Sequence, residues 1–167
     1  MATETAILPE TEWLAGVVRD LERPLVRYAF SLTRDYSRAR EAVQETFFEL
    51  WRRSTTVDRS RPAPWLFAVC RARSVDRGGK ETNTGASLTA GPAERASHAA
   101  PPDPSILALE PSADAVRLLG LLPEREREVV RLKFQEGLSY KEIADVTGHS
   151  VSHVGVMIHN AVLRVGK

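Results

Sequence analysis

The chain has 167 residues, of which 43% are hydrophobic and 27% charged, so one or two small globular domains of ordinary soluble composition are expected. A single cysteine excludes an internal disulfide. No apolar run has membrane-spanning length and no signal peptide opens the chain, so we expect a cytoplasmic protein without membrane insertion. The net charge of +1 is unevenly spread: residues 38–77 contain nine arginines against five acids, whereas bases and acids balance in residues 105–167. Any basic surface is therefore predicted in the first half.

The first predicted element is an amphipathic helix whose apolar positions follow helical spacing from Leu14 to Leu32. Residues 1–10 are predicted to form a loose end. Proline removes a backbone donor, so Pro24 should kink or restart the helix, which gives two pieces at about 11–22 and 24–34.

The next predicted helix spans Arg38–Arg53, with Asp35 or Ser37 as its N-cap. Its core stripe contains Ala39, Val43, Phe47 and Leu50. Beside this stripe lies a second set of aromatic and acceptor side chains, namely Glu41, Gln44, Glu45, Phe48 and Trp51. Either the aromatic residues complete the core and the acids are solvated, or the set forms a docking surface, since aromatic anchors with polar neighbours suit interfaces.

A third helix is predicted from Trp65 to about Arg77, after Pro62 and Pro64. The side chains that can face the core are Trp65, Leu66, Val69, Ala72 and Val75. The arginines project elsewhere, at positions 71, 73 and 77. Such arginines usually form a solvated surface, but together with Trp65 they could bind nucleic acid by phosphate contact and stacking.

Residues 78–104 have almost no large apolar side chain and are rich in Ala, Pro, Ser, Thr and Gly. A segment of this composition cannot bury enough surface to offset its ordering entropy, so we predict a flexible linker. One further helix is expected to begin at Ser112 and to pack on the segment that follows.

Residues 121–165 are the most informative part of the chain, because they predict three helices separated by two short breaks. The first runs from Pro123 to Gly137, with an apolar face at Val129, Val130, Leu132 and Phe134. Ser139 and Glu142 form a capping box for the second helix. Gly148 lies in the turn, and Ser150 caps the third helix, whose stripe is Val154, Ile158, Ala161 and Val165. This arrangement predicts a helix-turn-helix, whose second helix normally enters the major groove, although a three-helix bundle without nucleic acid is the alternative.

We find no Gly-rich phosphate loop and no nucleophile motif, so neither an enzymatic activity nor a cofactor is expected. His149 lies in the turn, and six residues separate His153 from His159, which places these two on different helix faces. No metal site is predicted from the histidines.

Together these motifs resemble the bacterial RNA polymerase sigma factors of the extracytoplasmic-function type. Residues 41–51 resemble the family's polymerase-docking helix, and residues 64–67 with Asp76 resemble the start and end of its promoter-melting helix. Leu122-Pro123, residues 142–144 and residues 151–161 resemble region four. The resemblance implies an all-α fold with two small helical domains joined by a flexible linker: region two at 11–77, the linker at 78–104, and region four, the helix-turn-helix, at 105–167.

The implied function is transcription initiation, with core RNA polymerase and promoter DNA as partners and an anti-sigma protein as a further one. Polymerase would dock on Glu41, Gln44, Glu45, Phe48 and Trp51. The minus-ten element would be bound and melted by Trp65, Arg71, Arg73 and Arg77. The recognition helix would read DNA through Ser152, His153, Val156, Met157, His159 and Asn160. The alternatives are a stand-alone helix-turn-helix regulator and a sigma-like protein-interaction module that reads DNA weakly.

The predicted recognition helix departs from the family pattern in its charge. Relatives usually carry Lys and Arg there, whereas this chain has none from Ser150 to Leu163. Few phosphate contacts are therefore expected from region four. The apolar residues Val156, Met157 and Leu163 are instead expected to give this helix an exposed face that could meet a protein partner.

Overall fold

The computed structural model describes the backbone of residues 4–83 and 112–166, and the side chains of residues 10–76 and 112–166. Over these ranges the chain is all-α, which confirms the predicted fold class. The helices are α1 (Glu4–Thr33), α2 (Tyr36–Arg52), α3 (Ala63–Asn83), α4 (Ala113–Gly120), α5 (Glu124–Val130), a π-helical segment (Arg131–Gln135), α6 (Tyr140–Thr147) and α7 (Val151–Val165). No helix in the described ranges is long and apolar enough to cross a membrane.

Helix α1 is continuous from Glu4 to Thr33, so the predicted loose end and the predicted break into two pieces were wrong. Residues 4–10 are helical rather than a loose end, and the helix does not restart at Pro24. Proline costs one backbone hydrogen bond, but Leu25, Tyr28 and Ala29, which follow it closely, are buried in the core. Packing of this face stabilises the helix beyond the proline, because tertiary contact contributes most of the stability of a protein helix.

Helices α1, α2 and α3 pack against one another and form the first helical unit. Helix α2 begins at Tyr36 because the carboxylate of Asp35 accepts a hydrogen bond from the N–H of Arg38. Of the two predicted N-caps, Asp35 and Ser37, the structure therefore uses Asp35. Its predicted core stripe is buried at Ala39, Val43 and Leu50, while Phe47 is partly buried against the same core.

The buried face of α3 differs from the predicted one. It runs through Leu66, Phe67, Cys70 and Ser74, whereas Ala72 and Val75 are exposed. Small side chains at positions 70 and 74 suit a close helix contact, and the Ser74 hydroxyl donates to the carbonyl of Cys70 at 2.8 Å, so its polar group is satisfied. Burial raises the pKa of the Cys70 thiol to about 12, so the group remains protonated.

Helix α3 also ends later than predicted, at Asn83 rather than near Arg77. Extending an existing helix adds one hydrogen bond for each residue ordered, and each glycine weakens it by only about 1 kcal/mol. The pair Gly78-Gly79 therefore does not stop it. The rest of the predicted linker, residues 84–104, lies outside the described residues.

The second helical unit begins at α4, where the Ser112 hydroxyl caps the N–H of Ala115 at 3.0 Å. The guanidinium of Arg127 on α5 donates to the carbonyls of Leu119 and Leu122, at 2.9 and 3.0 Å, and so fastens the end of α4 to α5. Helix α5 then passes into the π-helical segment, where the wider turn changes the register of the side chains. Phe134 consequently faces solvent, and its predicted place in the apolar face was wrong.

The helix-turn-helix forms as predicted. The hydroxyl of Ser139 accepts from the N–H of Glu142, and the carboxylate of Glu142 accepts from the N–H of Ser139, each at 3.1 Å. Gly148 ends α6 with φ of 80°, a conformation that glycine adopts at little cost. Ser150 caps α7 through the N–H of His153 at 3.1 Å.

The two helical units are in contact. Helix α3 of the first unit packs against α6 of the second, and the larger buried apolar cluster contains residues of both. The helix-turn-helix therefore lies against the first unit in this structure.

Candidate functional surfaces

The exposed face of α2 presents two large aromatic rings to solvent. Phe48 is 58% and Trp51 is 63% exposed, and their ring centroids lie 6.0 Å apart with an interplanar angle of 34°. The opposite face of α2 supplies the core through Ala39, Val43 and Leu50. The interpretation in which Phe48 and Trp51 complete the core is therefore wrong, and an exposed aromatic pair remains.

Polar acceptors flank this aromatic pair on the same helix. Glu41 and Gln44 are exposed and Glu45 is half-buried. The carboxylate of Glu45 lies 4.0 Å from the guanidinium of Arg73 on α3, so α2 and α3 are electrostatically linked at this edge. The five residues predicted as a docking set thus lie on one helix.

The residues predicted for promoter melting do not form one open basic surface. Trp65 is half-buried and packs against the core. Arg73 lies near the carboxylates of Glu45 and Glu49, at 4.0 and 3.9 Å, and its side chain is 45% exposed. Arg71 donates to Glu128 of the second unit at 2.7 Å. The side chain of Arg77 lies outside the described residues.

Helix α7, the predicted recognition helix, presents most of the residues predicted to read DNA to solvent. Those exposed are Ser152, His153, Val156, His159 and Asn160. None of them carries a fixed positive charge, so the exposed face offers hydrogen-bonding and apolar groups rather than phosphate-binding cations.

Met157 is an exception, and its predicted outward position was wrong. It is 5% exposed and belongs to the buried stripe of α7 with Val154, Ile158 and Ala161. Positions spaced by three, four and seven residues share one helix face, so Met157 lies between Val154 and Ala161. A side chain this buried neither contacts DNA nor contributes to an exposed partner face.

Two histidines, one in the turn and one on α7, lie close together. The rings of His149 and His153 meet edge-to-face with centroids 5.1 Å apart. Burial, and next the charge of His153, lower the pKa of His149 from its ordinary value. Within the described ranges, no group of three or more His, Cys, Asp or Glu side chains is arranged to hold a metal ion.

An apolar groove of about 450 Å³ on the second unit was missed by the sequence reasoning. It lies between α4, the π-helical segment and the end of α7. Its apolar lining comes from Ala115, Leu118, Leu119, Leu122, Val130, Phe134, Ala161, Val162 and Val165. The available signal was the surplus of apolar residues in 115–122, which one short helix cannot bury entirely.

Over the described residues, the fold and these surfaces define two all-α helical units, the second of which contains a helix-turn-helix. Comparison with protein families matches both units: sigma-70 region 2 matches residues 17–83, and sigma-70 region 4 matches residues 112–165. The two matches together cover most of the chain. The chain therefore belongs to the sigma-70 family.

Relatives with curated descriptions agree with this family. The chain is 26% identical over 121 residues to the ECF RNA polymerase sigma factor SigK of Mycobacterium sp. (strain KMS), a match that covers 67% of this chain and 60% of the relative. It is 27% identical over 142 residues to the probable RNA polymerase sigma factor RfaY of Xanthomonas campestris pv. campestris, covering 80% of this chain and 34% of the relative. The chain thus spans less than two thirds of the length of these relatives.

Two solved structures resemble the fold. CnrH in complex with the cytosolic domain of CnrY has a TM-score of 0.58 and 24% identity, covering 92% of this chain and 84% of CnrH. The sigma factor RpoE in complex with the anti-sigma factor NepR from Bartonella quintana has a TM-score of 0.60 and 22% identity, covering 88% of this chain and 92% of RpoE. At these identities the likeness concerns the fold alone.

Proposed function

We propose that the protein is a transcription initiation factor that binds core RNA polymerase and directs it to specific promoters by DNA recognition and melting. The observation that carries the proposal is the exposed Phe48–Trp51 pair with Gln44 and Glu45 beside it. Large aromatic rings are common anchors of protein interfaces. Their burial against polymerase would remove apolar surface from water at about 25 cal/mol per Å².

Promoter contacts are divided between the two units in this proposal. Arg71, Arg73 and Arg77, with Trp65, bind the minus-ten region through phosphate contact and stacking. The exposed residues of α7 read the upstream element through hydrogen bonds and apolar contacts to base edges, using Ser152, His153, Val156, His159 and Asn160.

An anti-sigma protein is a further proposed partner. Of the two solved relatives above, RpoE is described in complex with the anti-sigma factor NepR. The shared all-α fold supports a similar partner for this chain. The site of action would be the cytoplasm, where core polymerase meets DNA.

The alternatives are a stand-alone regulator and a degenerate interaction module. Matches to both region 2 and region 4 do not favour a stand-alone regulator. The uncharged recognition face supports the interaction module, which would bind polymerase without selecting a promoter. Promoter-specific transcription reconstituted with core polymerase distinguishes the proposal from both alternatives.

The docking prediction is tested with the double variant Gln44→Ala/Phe48→Ala. Both side chains are exposed on α2, so the fold should survive. Losing two interface anchors is expected to cost about 2 kcal/mol or more, which weakens core binding roughly thirtyfold. Titration against core polymerase measures the affinity, and reconstituted transcription should fall in parallel.

The matched control is Phe134→Ala, which removes an equally exposed ring from the second unit. Its affinity for core should remain much closer to that of the parent protein. Unchanged binding of the α2 double variant, or an equal loss in the control, would remove the assignment of the docking surface to α2.

A further inference from the structure

The exposed face of α7 is an arc with a histidine at each edge. Successive residues of an α-helix are rotated by about 100°, so His153 and His159, six positions apart, are separated by about 120° around the helix axis. The arc between them carries Ser152, Val156 and Asn160. All five side chains are exposed, whereas the opposite side of α7 is buried in the second unit.

This arrangement matches the way in which a helix lies in the major groove of DNA. The groove is about 12 Å wide, and an α-helix with its side chains is about 10–12 Å across. The middle of the inserted face therefore meets base edges, while side chains at its two edges meet the phosphates of the two strands. On α7 these edge positions are held by His153 and His159. The two histidines thus occupy the places from which cations bind the DNA backbone.

Fixed positive charge on α7 is confined to its last turn. The helix contains no lysine and no acid, and its one arginine, Arg164, lies 3.4 Å from the carboxylate of Glu126. Histidine is the remaining side chain of this helix that can become positive, and it changes charge between about pH 5 and pH 8. A protonated imidazole donates from both ring nitrogens, and its charge strengthens a hydrogen bond to phosphate.

The acids on the helices beside α7 are mostly paired with arginines. Helices α5 and α6 pack against α7. Glu128 on α5 accepts from Arg71 at 2.7 Å, and Glu142 on α6 accepts from Arg61 at 2.6 Å. The other charged groups on these two helices are Glu124, Arg125, Glu126, Arg127, Lys141 and Asp145. Paired carboxylates compete weakly for a histidine, so a DNA phosphate can favour its charged form.

The histidine of the turn is set apart from the two on α7. The ring of His149 meets that of His153 edge-to-face, with centroids 5.1 Å apart. Burial, and next the charge of His153, lower the pKa of His149. Charged neighbours on α3 and α5 also act on this pKa, which Glu128 raises and Arg71 and Arg125 lower. His149 is therefore neutral at neutral pH, and the charge at this edge of α7 falls to His153.

We propose that His153 and His159 bind the phosphates on the two sides of the major groove, and that they do so in their protonated form. Acidification then strengthens the binding of α7 to DNA, because each bound phosphate retains a proton on its histidine. This inference rests on the proposed function and deepens it, since it gives the second unit a phosphate contact that depends on pH. At alkaline pH the same face reads base edges alone.

The experiment uses the full chain bound to core polymerase and a fluorescein-labelled promoter duplex that includes the upstream element. Anisotropy titrations over a range of salt concentrations are made at about pH 6 and about pH 8, where histidine differs in charge. At the lower pH, the slope of log affinity against log salt should steepen by about 0.9 for each histidine. The affinity itself should rise on the order of tenfold. Equal slopes at the two pH values would overturn the proposal.

Two double variants separate charge from hydrogen bonding at the same positions. His153→Gln/His159→Gln can hydrogen-bond but cannot be protonated, so it should keep the shallow slope at both pH values. His153→Lys/His159→Lys has a fixed charge, so it should show the steep slope at both. Since the two side chains are exposed and the variants differ in opposite directions, loss of folding cannot produce both results. A pH-dependent slope in the glutamine variant would assign the effect to other groups and contradict the proposal.

The matched control is His149→Gln, which removes the half-buried histidine of the turn. Its salt slope should still steepen at the lower pH, because His153 and His159 remain. If this control lost the pH dependence, the effect would belong to the turn and the proposal would be wrong.

Promoter-specific transcription at the higher pH is measured separately, because it does not require charged histidines. Its absence, together with a failure to bind core polymerase, would remove the proposed function and this inference with it. Normal transcription with a salt slope that is independent of pH would overturn the inference alone.

Discussion

Met157 and Val156 are neighbours on α7 with opposite environments, 5% and 54% exposed. Met157→Ala should lower the free energy of unfolding by about 2–5 kcal/mol, because it leaves a cavity in the core of the helix-turn-helix. Val156→Ala, an exposed substitution, should change it by about 0.5 kcal/mol or less. Urea denaturation followed by circular dichroism measures both. Small and equal effects of the two substitutions on the free energy of unfolding would contradict the burial of Met157.

Residue-scale features were predictable where their cause is local. The caps Asp35, Ser112, Ser139 and Ser150 each accept the hydrogen bond from the N–H three residues later. Such a bond needs only neighbouring residues. The burial of Met157 also follows from helical spacing, because it lies three residues after Val154 and four before Ala161, and the prediction of an outward position overlooked this.

At the scale of the element, Gly155 lies inside α7, where its absent side chain weakens the helix. A Cβ at this position would lie 3.7 Å from the ring of Tyr140, an ordinary contact. Gly155→Ala should therefore raise the free energy of unfolding by about 0.5–1 kcal/mol through lower backbone entropy in the unfolded chain.

Gly148→Ala is the matched control for the Gly155 substitution. Its φ of 80° disfavours any residue with a Cβ, so this variant should be destabilised instead. Thermal unfolding of the two variants gives the signs. If Gly155→Ala lowered the free energy of unfolding instead, the prediction that a Cβ fits beside Tyr140 would be wrong.

Helix boundaries were less predictable than caps, because they depend on packing from elsewhere in the chain. Continuity of α1 past Pro24 follows from burial of Leu25 and Tyr28 in the core. The exposure of Phe134 follows from a π-helical turn that a regular α-helical period does not anticipate. In both segments the apolar pattern indicated the helix, and tertiary contact decided its extent or register.

At the scale of the whole molecule, the contact between the units was not predictable from charge counts. Residues 105–167 have balanced charges, so their net charge gives no sign of an electrostatic contact. In the structure, however, Glu128, Glu136 and Glu142 each pair with an arginine of the first unit. The aromatic face of α2 was predictable from helical spacing, but its exposure required the packing of α1 and α3. Long-range pairing therefore determines which predicted basic residues are available.

In the proposed function, the two helical units divide affinity and specificity on promoter DNA. Arg73 is 45% exposed and only loosely paired with Glu45 and Glu49, so phosphate can compete for it. In the complex with core polymerase, Arg73→Ala should reduce the slope of log affinity against log salt by about 0.9, the value for one phosphate contact.

Asn160 is the uncharged counterpart of Arg73 in this comparison, because it is exposed on α7 and can hydrogen-bond base edges. Asn160→Ala should leave the salt slope unchanged and cost about 1–3 kcal/mol on the preferred upstream sequence only. Anisotropy titrations of the holoenzyme over a range of salt concentrations measure both quantities. A steep loss of slope in Asn160→Ala, with none in Arg73→Ala, would place the phosphate contacts on the second unit and reverse the proposed division.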